Sequence, residues 1–127
     1  MIGYTMLGVK DIKKSATFYD QVLGTMGATR KMEYEKFILW NDGNDKPSFS
    51  ICIPYDENPA TIGNGSMIAF PVANPEEVHK VYDCAIKNGA TCEGKPGVRD
   101  GGYFIGYFRD PDGNKLAAYF YEFDEHL

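Results

Sequence analysis

The side chains in this sequence that could do chemistry are few, and their spacing is loose. Tyr4, Tyr103, Tyr107, Tyr119 and Tyr121 carry phenols that donate or accept a hydrogen bond. Cys52 is a nucleophile or soft metal ligand by type. Arg99, in the loop Gly97-Val98-Arg99-Asp100-Gly101-Gly102, has the planar fork that grips a carboxylate or phosphate at two points. Glu33, Glu35 and Glu93 are candidates for a general base. The two histidines stand apart: His79 falls within a helical pattern beside its apolar stripe and His126 is the penultimate residue. Both are best read as surface or helix-packing side chains. Asp110-Pro111-Asp112-Gly113-Asn114-Lys115 superficially matches a calcium loop. Lys115, however, occupies the place of the required glycine and the terminal glutamate is mis-spaced, so the segment is read as a turn. Gly63-Asn64-Gly65 precedes no helix at the spacing of a phosphate loop or dinucleotide fingerprint, and is read as a linker turn.

Composition narrows what these groups could serve. The chain has 127 residues, 43% of them hydrophobic, which suits one core and one domain. Its formal net charge is -5, and the 13 basic residues form no run, so nucleic acid is excluded as an expected partner. No apolar stretch approaches the roughly 20 residues that span a bilayer, and MIGYTMLGVKD lacks the features of a signal peptide. No membrane partner and a cytoplasmic location are the expectations. Cys52, Cys84 and Cys92 are odd in number, widely spaced and without a CxxC pair, which argues for buried thiols over disulfides or a zinc site.

The elements that would position the chemistry emerge when the sequence is laid along itself. LGVKDIKKSATFYDQVLGTMGAT matches FPVANPEEVHKVYDCAIKNGAT, with Val9 over Val72, Tyr19-Asp20 over Tyr82-Asp83 and Gly27-Ala28-Thr29 over Gly89-Ala90-Thr91. An offset constant to within one residue marks a duplication of one supersecondary unit. Each half opens on an alternating strand, residues 2 to 9 and 67 to 72, with Thr5, Leu7 and Val9 or Ile68, Phe70 and Val72 on the aliphatic face. Asp11 caps a helix carrying Ile12, Ala16, Tyr19, Val22, Leu23 and Met26. Asn74, Pro75 and Glu77 start another carrying Val78, Val81, Tyr82, Ala85 and Ile86, which Gly89 ends. Three short strands follow each helix, at 28 to 34, 36 to 41 and 48 to 54, then at 90 to 95, 103 to 109 and 115 to 122, around the turns Asp42-Gly43-Asn44 and Asp112-Gly113-Asn114. The expected class is α+β: two tandem βαβββ modules, about 1–54 and 66–124, joined by a linker at 55–65.

LGVKDIKKSATFYDQVLG followed by Tyr107-Phe108-Arg109-Asp110-Pro111-Asp112-Gly113-Asn114 near the C-terminus resembles the vicinal oxygen chelate superfamily of glyoxalases, bleomycin-resistance proteins and extradiol dioxygenases. The resemblance covers essentially the whole chain. It implies a curved mixed sheet around a cleft with the helices outside, Tyr4, Met6, Met67 and Ala69 lining the cleft, and a homodimer. It also implies where metal-dependent members place His, Gln or Glu ligands: at Tyr4, at Met67, at Ala117, and among Ser48, Ser50 and Cys52. A divalent ion needs several imidazoles or carboxylates within about 2.0 to 2.2 Å, so no metal and no cofactor are expected.

The remaining cleft candidates are aromatic and weakly polar. Alternation puts Tyr103, Ile105 and Tyr107 on one face, and Lys115, Ala117, Tyr119 and Tyr121 on one face, with Tyr4, Met6 and Met67 nearby and Trp40 facing either way. Such a concavity suits a flat or hydrophobic small-molecule ligand, although tyrosines also suit any half-buried strand. The expected ligand contacts are therefore Tyr4, Met6, Trp40, Ser50, Cys52, Met67, Arg99, Tyr103, Tyr107, Ala117 and Tyr119. Three functions compete. The leading expectation is a metal-free sequestering protein of the bleomycin-resistance type. The second is a glyoxalase-like lyase or isomerase acting on a thiol conjugate or an enolisable ketone, with Tyr4, Tyr107 or Cys52 as acid, base or nucleophile if no metal is used. The third is an interaction module whose cleft is filled by its own side chains.

Overall fold

The computed structural model describes residues 1–122, so His126 and the last two residues expected in the second module lie outside the described residues. The chain divides into two compact units, Met1–Asn64 and Gly65–Leu127. The first runs β1 (Tyr4–Gly8), α1 (Ile12–Gly24), β2 (Thr29–Tyr34), β3 (Phe37–Asn41) and β4 (Ser48–Cys52). The second runs β5 (Ile68–Pro71), α2 (Pro75–Lys87), β6 (Thr91–Arg99), β7 (Tyr103–Arg109) and β8 (Lys115–Tyr121), with a 3-10 turn at Asp100–Gly102. The α+β class and the paired βαβββ modules expected from the sequence are therefore present. No helix among the described residues is long and apolar enough to cross a membrane.

Connectivity sets the strand order. In each unit the helix carries the chain from the first strand to the far edge of the sheet, and two antiparallel returns bring the last strand back beside the first. The orders are β1-β4-β3-β2 and β5-β8-β7-β6, with β1 parallel to β4 and β5 parallel to β8. β6 is longer than its expected span because two register shifts, at Cys92/Gly94 and Gly94/Gly97, let it follow β7 as far as Arg99.

Local signals explain the helices. The Asp11 carboxylate accepts from the Lys14 N–H at 3.1 Å, and the Asn74 side chain accepts from the Glu77 N–H at 2.9 Å, each satisfying a first-turn donor that the helix cannot. Gly89 ends the second with φ +107, a left-handed conformation that favours glycine. Ala16, Tyr19, Val22 and Leu23 of α1 are buried with Ile38, Trp40, Phe49 and Ile51 of its sheet. Val78, Val81, Tyr82 and Ala85 of α2 are buried with Phe108, Leu116 and Ala118. Ile86, expected in that apolar stripe, is instead 37% exposed at its edge. The segment expected as a linker does more than connect, since Ala60, together with Pro54 just before the linker, packs where a Cβ on Gly8 would stand, at 3.1 and 3.7 Å.

A polar junction ties the first unit together. Asp20, on α1, accepts from Arg30 Nε at 2.9 Å, from Arg30 Nη2 at 2.7 Å and from the Trp40 indole at 2.9 Å. Burial pushes the Asp20 carboxyl up, but the hydrogen bonds from Arg30 and Trp40 and the charge of Arg30 outweigh it and hold the group below its ordinary value. A carboxyl lowered in the folded state contributes stability above its unfolded pKa and loses it as pH falls through the folded one. Asp20→Ala also leaves the indole N–H of Trp40, a residue only 1% exposed, without its acceptor. The expected destabilisation in urea unfolding at pH 7 is about 2 kcal/mol. The gap between wild type and variant should narrow as pH drops below about 4, the ordinary carboxylate range.

Candidate functional site

The helix contacts determine which strand faces remain for function. In the second unit Tyr82 of α2 packs edge-on against Phe108 at 6.4 Å between ring centroids, and His79 lies 5.6 Å from Phe104. Phe104, Gly106 and Phe108 thus face α2, and alternation turns Tyr103, Ile105 and Tyr107 to the opposite face. That face is open in that no helix among the described residues of the unit packs on it; Ile105 is buried there and Tyr103 is exposed. The register carries that face across the sheet, pairing Tyr107 with Ala117 and Gly94, Ile105 with Tyr119 and Gly97, and Tyr103 with Tyr121 and Arg99. Most of the second-unit candidates, Arg99, Tyr103, Tyr107, Ala117 and Tyr119, are therefore together on one surface. Met67 precedes β5 and is 44% exposed.

Two chemistries are graded along this open face. At one end the Tyr103 ring lies tilted against Tyr121 at 4.5 Å and against Tyr119 at 5.7 Å between centroids. Towards the other end the Arg99 guanidinium folds back along β6 until it lies 5.7 Å from the Tyr107 ring centroid, while Lys115 Nζ approaches the same ring at 5.1 Å. Arg99 is held by backbone carbonyls, Lys95 O at 2.8 Å and Val98 O at 3.3 Å. The floor is small: Ala117 is fully buried, and Gly94 and Gly97 have no side chain to obstruct the guanidinium. A Cβ on Gly94 would stand 3.0 Å from Tyr107 Cδ2 and 3.4 Å from Arg99 Nη2, and one on Gly97 would stand 3.0 Å from Arg99 Nη1. Sequence reasoning missed both glycines and the role of Lys115. Gly-x-x-Gly within a strand was the available signal, because glycine there weakens a sheet and marks a close approach.

The turn before Lys115 is structural. Asp110, 2% exposed, accepts from the backbone N–H groups of Asp112 and Asn114 and from the Asn114 side chain, at 2.9 to 3.0 Å. It fixes where β8 begins, and so where Lys115 stands. Arg109 at the end of β7 is engaged by Glu93 and by Gly113 O at 2.8 Å.

In the first unit Tyr19 lies 4.8 Å from Phe49 and 5.9 Å from Trp40. Phe49 and Trp40 therefore face α1, and Trp40, a candidate ligand contact that could have faced either way, is a core residue. The open face carries Tyr4 beside Ser48, Met6 beside Ser50 and Leu39, and Gly8 beside Cys52 and Phe37. Tyr4 is 60% exposed and Met6 55%. Ser50 is fully buried, and its hydroxyl donates to Thr5 O at 2.6 Å.

The other reactive candidates are less suited to catalysis than their types suggest. Burial pushes the Cys52 thiol up, so it stays protonated at neutral pH and is a weaker nucleophile. The hydrogen bond and charge of Arg109, aided by Lys115, hold the Glu93 carboxyl down against desolvation, which makes it a weak base. Glu33 is paired with Arg30 at 2.8 Å, and Glu35 sits in the turn between β2 and β3. Cys92 shares a hydrogen bond with Tyr82, whose phenol that bond, burial and nearby charge push up to about 12.

Two βαβββ units with their last strands returned beside the first define a glyoxalase-type fold. The chain matches the family model described as glyoxalase/bleomycin resistance protein/dioxygenase superfamily over residues 1–118, and it belongs to that superfamily. It is 33% identical over 121 residues to a probable lactoylglutathione lyase of Synechocystis, covering 89% of each chain. It is 28% identical over 117 residues to another protein so named from Vibrio cholerae, covering 88% of this chain and 84% of that one. Its structure is similar to that of a glyoxalase/bleomycin resistance protein from Albidiferax ferrireducens, with 36% identity, a TM-score of 0.87 and coverage of 96% and 99%.

Membership raises the question of a metal. The positions implied by the family resemblance carry the Tyr4 phenol, one of Ser48, Ser50 and Cys52, the Met67 thioether and the Ala117 methyl, which donates nothing. Both serine hydroxyls are bonded to backbone carbonyls, and burial pushes the Cys52 thiol up. This set does not fit a hard or borderline divalent ion. Nickel, zinc or manganese at ten equivalents is expected to leave the melting temperature of chelator-treated protein unchanged. A rise abolished by Tyr4→Phe with Cys52→Ala would overturn that expectation.

Proposed function

We propose that this protein is a glyoxalase-like lyase or isomerase that receives a small thiol conjugate or enolisable ketone on the open face of its second sheet. The observation that carries the reading is the row of phenols beside two cations, Arg99 and Lys115, on a single β-sheet surface. Passing a proton from the carbon next to a carbonyl to a solvent base leaves negative charge on the carbonyl oxygen, and pre-placed cations and hydroxyl donors are the groups that stabilise it. Tyr107 and Tyr119 place phenol hydroxyls on that row, and the aromatic end formed by Tyr103 and Tyr121 offers a surface for an apolar substituent. The names of both curated relatives, probable lactoylglutathione lyase, support turnover over simple capture. The donor set favours a second reading, metal-free sequestration, in which the same face binds a compound and leaves it unaltered.

Solvent deuterium separates the two readings. The protein is incubated in heavy water with lactoylglutathione, related thiol conjugates and simple enolisable ketones, and exchange or conversion is followed by proton NMR. The expected result is deuterium incorporation or product formation above buffer, with Tyr107→Phe lowering kcat by roughly a hundred-fold. Saturable binding without exchange would replace this reading with sequestration, and absence of binding would favour the interaction module.

A further inference from the structure

We propose that Arg99 and Lys115 form an anion subsite on the second sheet, and that the ligand placed there is a small flat organic acid whose carboxylate lies at Tyr107. The inference rests on the reading that this open face is the ligand face, and adds the charge class of what binds.

Three observations carry it. Two cations from different strands, β6 and β8, converge on one tyrosine ring, at 5.7 and 5.1 Å. Like charges brought to one point repel unless an anion shares the space. Glu93 lies near enough for the charge of Lys115 to act on it, but its carboxylate is bonded to Arg109, and Arg99 is held by the neutral carbonyls of Lys95 and Val98. Among the described residues neither Arg99 nor Lys115 takes part in an ion pair. Two of the five N–H donors of the Arg99 fork meet those carbonyls, which leaves donors for a carboxylate.

The second observation is that the arginine has a prepared seat. Gly94 and Gly97 leave the shelf along which the guanidinium lies, and any Cβ there would press on it. Glycine in a strand weakens the sheet, and here its absence of a side chain lets a charged group lie flat against the backbone. Both cations are half-buried, in a protein whose net charge is -5, so the local sign opposes the global one.

The third is the neighbourhood. One row along the sheet from Tyr107 are Ile105 and Tyr119, then the ring pair Tyr103 and Tyr121. An acid anchored at Tyr107 through its carboxylate can therefore lay an apolar, planar body along the tyrosines.

Binding of benzoate, its neutral isostere benzamide, and inorganic phosphate to the full chain is measured by titration calorimetry and thermal shift. Benzoate is expected to bind and raise the melting temperature, phosphate to bind more weakly, and benzamide to do neither. Arg99→Gln and Lys115→Gln should each weaken benzoate by roughly ten-fold, the loss of one charge-assisted contact. Gly94→Ala, which keeps both cations but disturbs the seat, should weaken it too, with circular dichroism confirming the fold. Lys36→Gln, which removes a cation paired with Glu57 in the other unit, should have no effect. Equal binding of benzamide, benzoate affinity unmoved by Arg99→Gln and Lys115→Gln, or no binding of benzoate overturns the subsite. Turnover of a thiol conjugate with KM unmoved by those two variants would also overturn it while leaving the lyase reading intact. Benzoate binding in a protein that turns over nothing would keep the subsite and remove the lyase reading.

Discussion

Among the described residues each unit has one α-helix, and a four-stranded sheet has two faces. That mismatch governs the rest of the structure. In the first unit α1 takes the face built from Phe49, Trp40 and Ile51, and in the second α2 takes the face built from Phe108, Leu116 and Ala118. The strand order that returns the last strand beside the first leaves a second face in each sheet, and period-two alternation decides which side chains occupy it. The proposed ligand face is the one the helix leaves.

The two open faces have diverged from their common pattern. That of the first sheet is apolar and weakly polar, with Tyr4, Met6, Leu39 and Phe37, and is partly covered at Gly8 by Ala60. That of the second carries the tyrosine row and the two cations. The divergence extends to the turns: Asp110 and Asn114 knot the β7–β8 connection with buried hydrogen bonds and thereby fix where Lys115 stands. The strongest sequence motif thus serves the site indirectly, through geometry and not contact.

Much of the fold was legible because its signals are local. The caps at Asp11 and Asn74, the stripe Val78, Val81, Tyr82 and Ala85, and the left-handed Gly89 all depend on neighbours within one or two turns. The tyrosines Tyr103, Tyr107 and Tyr119 were placed on a shared surface by alternation and register. What depends on tertiary pairing was not legible. Trp40 sits on an edge of two possible faces in sequence, and its turn inward follows from the carboxylate of Asp20 across the helix interface. Ile86 lies in the stripe by spacing yet reaches past its edge. The reach of Arg99 back along β6 depends on two register shifts and two glycines, which periodicity does not encode.

Recognition on this one surface, as proposed, is tested most directly by locating a bound ligand. Side-chain NMR of the full chain, following the Arg99 and Lys115 nitrogen resonances and the tyrosine rings during a titration with benzoate, gives that location. The account predicts that Arg99, Lys115, Tyr107 and Tyr119 shift together and saturate along one binding curve. Shifts confined to Tyr4, Met6 and the rest of the first sheet's open face, with the second sheet silent, would contradict it.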